Sequence, residues 1–218
     1  MINRTLILLV ANVACGATVV PLGAQIFTVP GSADDNRPVS ASFSVGFLDT
    51  QGRFDGQSGV YWNLRQAVTY RAALDVGIGS GALGVSASLA SVPISRSGAS
   101  VTGPSDGNIE LRHYLATFRT SERRGFHQIV EVGMGLAQWA SYSGSDVLTN
   151  EEAKARNSFA LLVGYGIGFT LGNRAAVTIV QDLGTLVGSK ESLPSGASRV
   201  VRQYTTRVGM RLRLAGDR

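Results

Sequence analysis

Eight charged side chains are the residues of this sequence best suited, by type and spacing, to chemistry inside a protein. Each falls on the small or polar parity of an alternating segment, so all eight are predicted to share one interior face. Enclosed charges must pair, because an unpaired buried charge costs several kcal/mol. The pattern therefore predicts a structural ion-pair network, with a proton path, an ion path or a catalytic cluster as the alternatives. Its members are Arg71, Asp75, Glu110, Arg112, Glu131, Asp182, Arg207 and Arg211.

The serine and histidine residues give weaker indications of catalysis. Residues 103–107 have the glycine-serine-glycine spacing of a nucleophile elbow, but the surrounding residues indicate a polar loop instead of a strand-to-helix turn. Ser105 or Asp106 with His113 is the one hydrolytic grouping the sequence suggests, and His113 falls on the outward parity of its strand. His127 lies beside a short turn, and neither histidine has a partner at metal-ligand spacing.

Two further motifs have simpler structural interpretations. Gly79, Gly81 and Gly84 have the spacing of a dinucleotide-binding loop, but an alternating strand follows them where that loop requires a helix. A tight turn is therefore predicted. The acidic residues of the segment 143–156 could gather a divalent cation, although a solvated loop explains them better. We predict no catalytic residue, no cofactor and no metal site.

Residues 157–172 show the clearest pattern in the sequence, an alternation of large apolar and small side chains. Large residues from Phe159 to Leu171 occupy one parity, and mostly glycine and alanine occupy the other. A period of two predicts an extended strand with two different faces. Bulky groups facing lipid and small groups facing the crowded interior of a narrow barrel explain both faces.

Similar alternation predicts eight strands in all. In the fourth, Ile109, Leu111 and Leu115 are predicted to face outward, opposite Glu110, Arg112 and Tyr114. Long polar connections alternate with short turns, which is the rule for outer-membrane barrels. We predict an all-β, eight-stranded antiparallel up-and-down transmembrane β-barrel, with a soluble lipocalin-like barrel as the alternative. The strands are predicted at residues 39–48, 65–78, 82–94, 108–120, 126–142, 157–172, 175–188 and 200–214.

The N-terminus predicts export. Arg4 precedes an apolar stretch from Leu6 to Ala14, and small residues then allow cleavage after Ala24. A membrane-anchor helix is the alternative, and Cys15 raises that of an acylated lipoprotein. We predict a signal peptide at 1–24, a periplasmic linker at 25–38, the barrel at 39–214 and a tail at 215–218. The 27 glycines and only 16% charged residues fit an outer-membrane barrel.

From residue 39 to residue 214 the chain resembles the small outer-membrane β-barrel domains of the opacity-protein, porin-like type. The sharpest local match is the end of the last strand, where a polar residue, a glycine and two hydrophobic residues have the spacing that the barrel-assembly machinery reads. Those residues are Arg207, Gly209, Leu212 and Leu214. Members usually finish on an aromatic residue, whereas this chain has Leu214. The resemblance implies insertion by the assembly machinery.

The pattern predicts a location more sharply than an activity. We predict an outer-membrane protein with periplasmic termini, acting as a non-enzymatic monomeric scaffold whose four extracellular loops serve surface contact or envelope integrity. Outer-membrane lipid and lipopolysaccharide are the expected partners. Nucleic acid is not, because no basic cluster combines with aromatic platforms. The alternatives are a barrel hydrolase or acyltransferase acting on lipid A, and a soluble ligand-binding barrel.

Overall fold

The computed structural model describes residues 37–55, 60–97, 106–120, 125–144, 156–172, 174–188 and 200–215. In these ranges no helix is long and apolar enough to cross a membrane. The strands are β1 (Val39–Thr50), β2 (Arg53–Asp55), β3 (Val60–Leu64), β4 (Ala67–Ile78), β5 (Gly81–Ser97), β6 (Asp106–Thr120), β7 (Phe126–Gly144), β8 (Arg156–Leu171), β9 (Ala175–Gly188) and β10 (Val200–Ala215).

Eight of these strands close into one antiparallel barrel. Strand β1 pairs with both β4 and β10, and the remaining pairs follow chain order from β4 through to β10. This confirms the predicted eight-stranded antiparallel barrel. The predicted loop at 49–64 contains more structure than expected, because β2 and β3 form a hairpin whose second strand pairs with the end of β5.

The barrel strands present large apolar side chains to the outside. These side chains are between 37% and 66% exposed, which would be a poor surface in water but matches the lipid-facing band of a transmembrane barrel. The opposite parity of the same strands is buried. Representative members of the band, one from each barrel strand, are Phe47, Leu74, Val85, Phe118, Met134, Val163, Leu183 and Met210.

Short turns join the strands at one end of the barrel, which we call the turn end; the long connections leave from the other, the long-connection end. Gly79, Gly125 and Gly172 lie in the short turns with φ of 53°, 75° and 64°, which side chains with a Cβ rarely adopt. Gly79 thus belongs to a turn between β4 and β5, while Gly81 and Gly84 lie in β5. The segment with the dinucleotide-like glycine spacing therefore forms a β-hairpin, as the predicted tight turn requires.

Two layers of side chains fill the interior. Toward the long-connection end lies an apolar layer, packed from side chains of every barrel strand. Toward the turn end lies an ionic layer of buried arginines and carboxylates. The most enclosed large members of the apolar layer are Leu48, Val92, Leu111, Leu186 and Val201.

Candidate functional site

The ionic layer is the largest group of chemically capable side chains in the described part of the chain. Its seven members come from five strands, and each is at most 8% exposed. They are Arg71, Asp75, Arg119, Glu131, Asp182, Arg207 and Arg211.

Glu131 lies at the centre of the ionic layer and contacts three arginines. Its Oε1 accepts a hydrogen bond from Nη2 of Arg71. Its Oε2 accepts one from Nη2 of Arg207 at 3.1 Å and lies 3.4 Å from Nε of Arg119. Three cations around one carboxylate compensate for the loss of its hydration, so removing Glu131 would leave several like charges together.

Asp182 and Asp75 complete the layer. Asp182 accepts from Nε of Arg207 at 2.7 Å and from its Nη2 at 3.3 Å, the two-pronged geometry that a guanidinium group favours. Asp75 lies closer to the turn end, where its Oδ2 is 3.5 Å from Nη2 of Arg211. Arg71 also donates to the hydroxyl of Ser86 at 2.9 Å. The contacts link strands on opposite sides of the barrel, as a plug requires.

Glycines on neighbouring strands make room for these charged side chains. Gly164 is the cross-strand partner of both Glu131 and Asp182, and a Cβ added to it would lie 2.4 Å from Oδ1 of Asp182. Gly84 stands in the same relation to Asp75, where the corresponding distance is 2.2 Å. The small face predicted for residues 157–172 therefore has a specific purpose: it accommodates the large polar side chains of adjacent strands.

The structure places six of the eight predicted network residues in the ionic layer but turns the other two outward. Glu110 and Arg112 lie on the outer face of β6, where the carboxylate accepts from Nε of Arg112 at 3.1 Å and from its Nη2 at 2.9 Å. The predicted inward orientation of Glu110 and Arg112 is wrong. Leu111 (0% exposed) and Leu115 (5%), which were predicted to face outward, fill the interior instead.

The same error in the parity of β6 left Arg119 out of the predicted network and assigned His113 to the outward face. Both lie on the inward face of β6, alternating with the exposed Tyr114 and Phe118. A usable signal was present in the hairpin that joins β6 to β7. Arg119 is the cross-strand partner of Glu131, and partners across an antiparallel pair share a face. An inward Glu131 therefore requires an inward Arg119.

His113 lies between the two layers and is held by two hydrogen bonds. The hydroxyl of Ser88 is 3.1 Å from Nδ1, and Oε1 of Gln203 is 3.0 Å from Nε2. An amide oxygen can only accept, so Nε2 carries the proton and Nδ1 accepts from the serine. A serine bonded to a histidine has the form of a nucleophile and its base. This pair, however, faces a cavity of about 40 Å³ inside the barrel.

The remaining candidates do not form a site in the described residues. Asp106 begins β6 in an exposed position, and Ser105 lies outside the described residues, as does most of the acidic segment at 143–156. His127 is buried near the turn end, with its Nδ1 3.0 Å from the carbonyl oxygen of Gly125. Across the described ranges, no three histidine, cysteine, aspartate or glutamate side chains are grouped to hold a metal ion.

The predicted assembly signal lies in β10. Arg207 is buried and belongs to the ionic layer, whereas Leu212 and Leu214 are exposed on the lipid-facing side. The strand extends to Ala215. Residues 1–36 and 216–218 lie outside the described residues, so the signal peptide, most of the linker and the end of the tail stay predictions.

Comparison with known proteins supports the fold. No protein-family model matches the chain, and no curated protein sequence matches it. Among solved structures, Neisserial surface protein A superposes with a TM-score of 0.53 at 9% identity, over 81% of this chain and 97% of that one. OprG, an outer membrane protein of Pseudomonas aeruginosa, gives 0.50 at 14% identity, over 82% and 96%. The predicted resemblance to small outer-membrane barrels is confirmed for the fold.

A third similar structure is that of an enzyme. The outer membrane protease OmpT of Escherichia coli superposes with a TM-score of 0.50 at 9% identity, over 86% of this chain and 99% of that one. At this identity the likeness shows the fold alone, and fold does not determine activity.

Proposed function

We propose that this chain is an outer-membrane scaffold whose interior is a structural plug and whose long connections carry its function at the cell surface. One observation carries the proposal: an ionic layer and an apolar layer occupy the interior across strands on all sides of the barrel. Eight strands leave an interior just wide enough for side chains to fill. The surface left for recognition is then the long-connection end.

The orientation in the membrane follows from the lengths of the connections. Short turns face the periplasm and long loops face outward in barrels of this kind. The turn from Gly79 to Gly81 is therefore periplasmic, and the hairpin of β2 and β3 extends outward. The start of β1 at Val39 and the end of β10 at Ala215 then lie on the periplasmic side. Lipid surrounds the apolar band, and the phosphates of lipopolysaccharide lie near its outer border.

The enzymatic alternative has less support. A lipid A hydrolase or acyltransferase would need its nucleophile where an acyl chain can reach it. The serine and histidine that come together in this structure, Ser88 and His113, line an interior cavity of about 40 Å³, too small for such a chain. The outward Glu110 and Arg112 bond to each other, an arrangement suited to the membrane border.

A topology experiment tests the proposal. We expect a short epitope inserted in the segment 143–156 to be labelled by antibody on intact cells, and the same epitope inserted after Gly172 to be labelled only after the outer membrane is permeabilised. Labelling at Gly172 on intact cells would reverse the orientation. Lipid A from cells with and without the gene is compared in parallel. If loss of the gene changed the acylation of lipid A, and the Ser88→Ala variant caused the same change, the protein would be an enzyme and the scaffold proposal would be wrong.

A further inference from the structure

A small cavity lies where the ionic and apolar layers meet, and most of the residues that line it are polar. It has a volume of about 40 Å³ and is enclosed on the apolar side by Leu48 and Leu115. A polar cavity of this size has room for a single small ion or a few water molecules. The charged and polar side chains that line it include Arg71, Ser88, His113, Asp182, Gln203 and Arg207.

Gln203 lines this cavity and has one donor without an acceptor among the described residues. Gln203 is 5% exposed, and its Oε1 is taken by His113. Its Nε2 is buried and has no hydrogen-bond acceptor among the described residues. A buried amide N–H left without an acceptor is costly, so an acceptor from elsewhere is favoured.

A second residue that lines the cavity, Arg71, also has a donor without an acceptor among the described residues. Nη2 of Arg71 donates to Glu131 and Ser86, but its Nη1 is buried without an acceptor among the described residues. Oδ2 of Asp182 lies 3.8 Å from Nη1, beyond hydrogen-bonding distance. That oxygen is already engaged by Arg207 at 2.7 Å. Two buried donors from different strands thus share one cavity.

The charge of the surrounding layer has the sign that would attract an acceptor. The ionic layer contains four arginines and three carboxylates, so the formal charge of this layer is one positive. In a medium of low dielectric constant, an uncompensated charge favours a counter-ion close by. Water would satisfy the donors but not the charge.

We propose that this cavity is a binding site for a small monovalent inorganic anion such as chloride, held by Nη1 of Arg71 and Nε2 of Gln203. The anion completes the ionic layer as its fourth negative charge. Asp182 lines the cavity but does not bond to Nη1 of Arg71, because its Oδ2 lies 3.8 Å from that nitrogen. The site contributes to stability and requires no catalytic step.

Linkage between binding and unfolding tests the proposal. Purified full-length protein, folded in detergent micelles, is unfolded in urea at constant ionic strength while gluconate, which is too large for the cavity, is exchanged for chloride. Each tenfold rise in chloride above the dissociation constant should raise the folding equilibrium constant about tenfold, and the midpoint should rise with it. A midpoint independent of chloride would mean that the cavity holds water only, and the proposal would be wrong.

Matched variants locate the effect. Gln203→Glu keeps the oxygen that accepts from His113 and replaces the second donor with a carboxylate oxygen beside Arg71, so we expect its midpoint to lose the chloride dependence. Asn157→Asp makes the same change on the outer face, where Oδ1 accepts from Gln138, and should retain the full dependence. Loss of the dependence in both variants, or in neither, would contradict the site.

Crystallography provides a measurement that does not depend on any variant. Wild-type protein crystallised in bromide should show an anomalous peak between Arg71 Nη1 and Gln203 Nε2. Peaks confined to the protein surface would assign the chloride effect to surface arginines and overturn the proposal.

Discussion

The two halves of the barrel interior bury their side chains by different physical means. Toward the turn end, charges of both signs contact one another across the barrel, and Glu131 alone contacts three arginines. Toward the long-connection end, aliphatic groups such as Leu111 and Val92 (each 0% exposed) pack with no polar partner. In the ionic half, removal of Arg207 takes away hydrogen bonds from both Glu131 and Asp182, and a buried carboxylate without its partner is costly. The apolar half loses contact area in proportion to the atoms removed.

Three interior glycines differ in the room that they leave for a side chain. In the ionic layer, Gly164 and Gly84 lie directly opposite carboxylates, and an added Cβ would come within 2.4 Å of an oxygen. Toward the apolar half, an added Cβ at Gly184 would meet Gln203 at 3.4 Å, which is ordinary contact. Gly164 and Gly84 therefore leave room for carboxylates, whereas the space beside Gly184 would accept a methyl group.

The largest expected effect of a single substitution lies in the ionic layer. Arg207→Met removes hydrogen bonds to both Glu131 and Asp182. By analogy with other broken buried pairs, we expect a loss of about 3–5 kcal/mol in the free energy of unfolding, measured in urea with detergent micelles. Adding Asp182→Asn should recover part of that loss. A midpoint equal to wild type, together with a lost conductance, would make the layer an ion path and not a plug.

A comparable truncation in the apolar layer should cost somewhat less. Leu111 is 0% exposed, and Leu111→Ala removes buried aliphatic atoms without stranding a charge. We expect a loss of about 2–4 kcal/mol, since such cavities typically destabilise by that amount. The free energy lost in Leu111→Ala should be the same at every chloride concentration, because this residue belongs to the apolar layer. If Leu111→Ala were less damaging than Leu136→Ala on the lipid-facing side, the inward assignment of β6 would fail.

Glycine substitutions give a smaller and more local contrast. Gly164→Ala places a Cβ against Oδ1 of Asp182, and overpacking of this kind costs about 1–3 kcal/mol. Gly184→Ala is the matched control on the neighbouring strand and should change the midpoint little. Equal effects of the two substitutions would show that backbone freedom, and not the space needed by Asp182, determines the role of Gly164.

The sequence predicted most of the barrel because its outer face is simple. On β8, large apolar residues from Phe159 to Leu171 alternate with small ones, and the structure exposes the first set and encloses the second. The number of barrel strands followed from the same alternation. The hairpin of β2 and β3 was missed because it is short and stands in a polar segment, where no buried face imposes a period of two.

The interior was harder to predict, and β6 shows the reason. Hydrophobicity marks the lipid-facing side only where the other side is polar or small. On β6, Leu111 and Leu115 point inward to the apolar layer while Tyr114 and Phe118 point outward, so both faces carry apolar residues. The identity of the ion pairs depends on the register across the whole barrel, which alternation within single strands does not contain.

The smallest expected effect tests the orientation of β6, in which Arg112 faces outward. Arg112 lies on the outer face, where its guanidinium group bonds to Glu110, and its side chain is 37% exposed. Exposed ion pairs contribute little to stability, since solvent and headgroups screen the charges in both states. We therefore expect Arg112→Met to unfold at nearly the same urea concentration as wild type, in contrast to Arg207→Met. Side-by-side midpoints measured in the same micelles check this. If the two variants were equally destabilised, Arg112 would belong to the interior, and Arg119 and His113, two positions of the opposite parity on the same strand, would have to face the lipid.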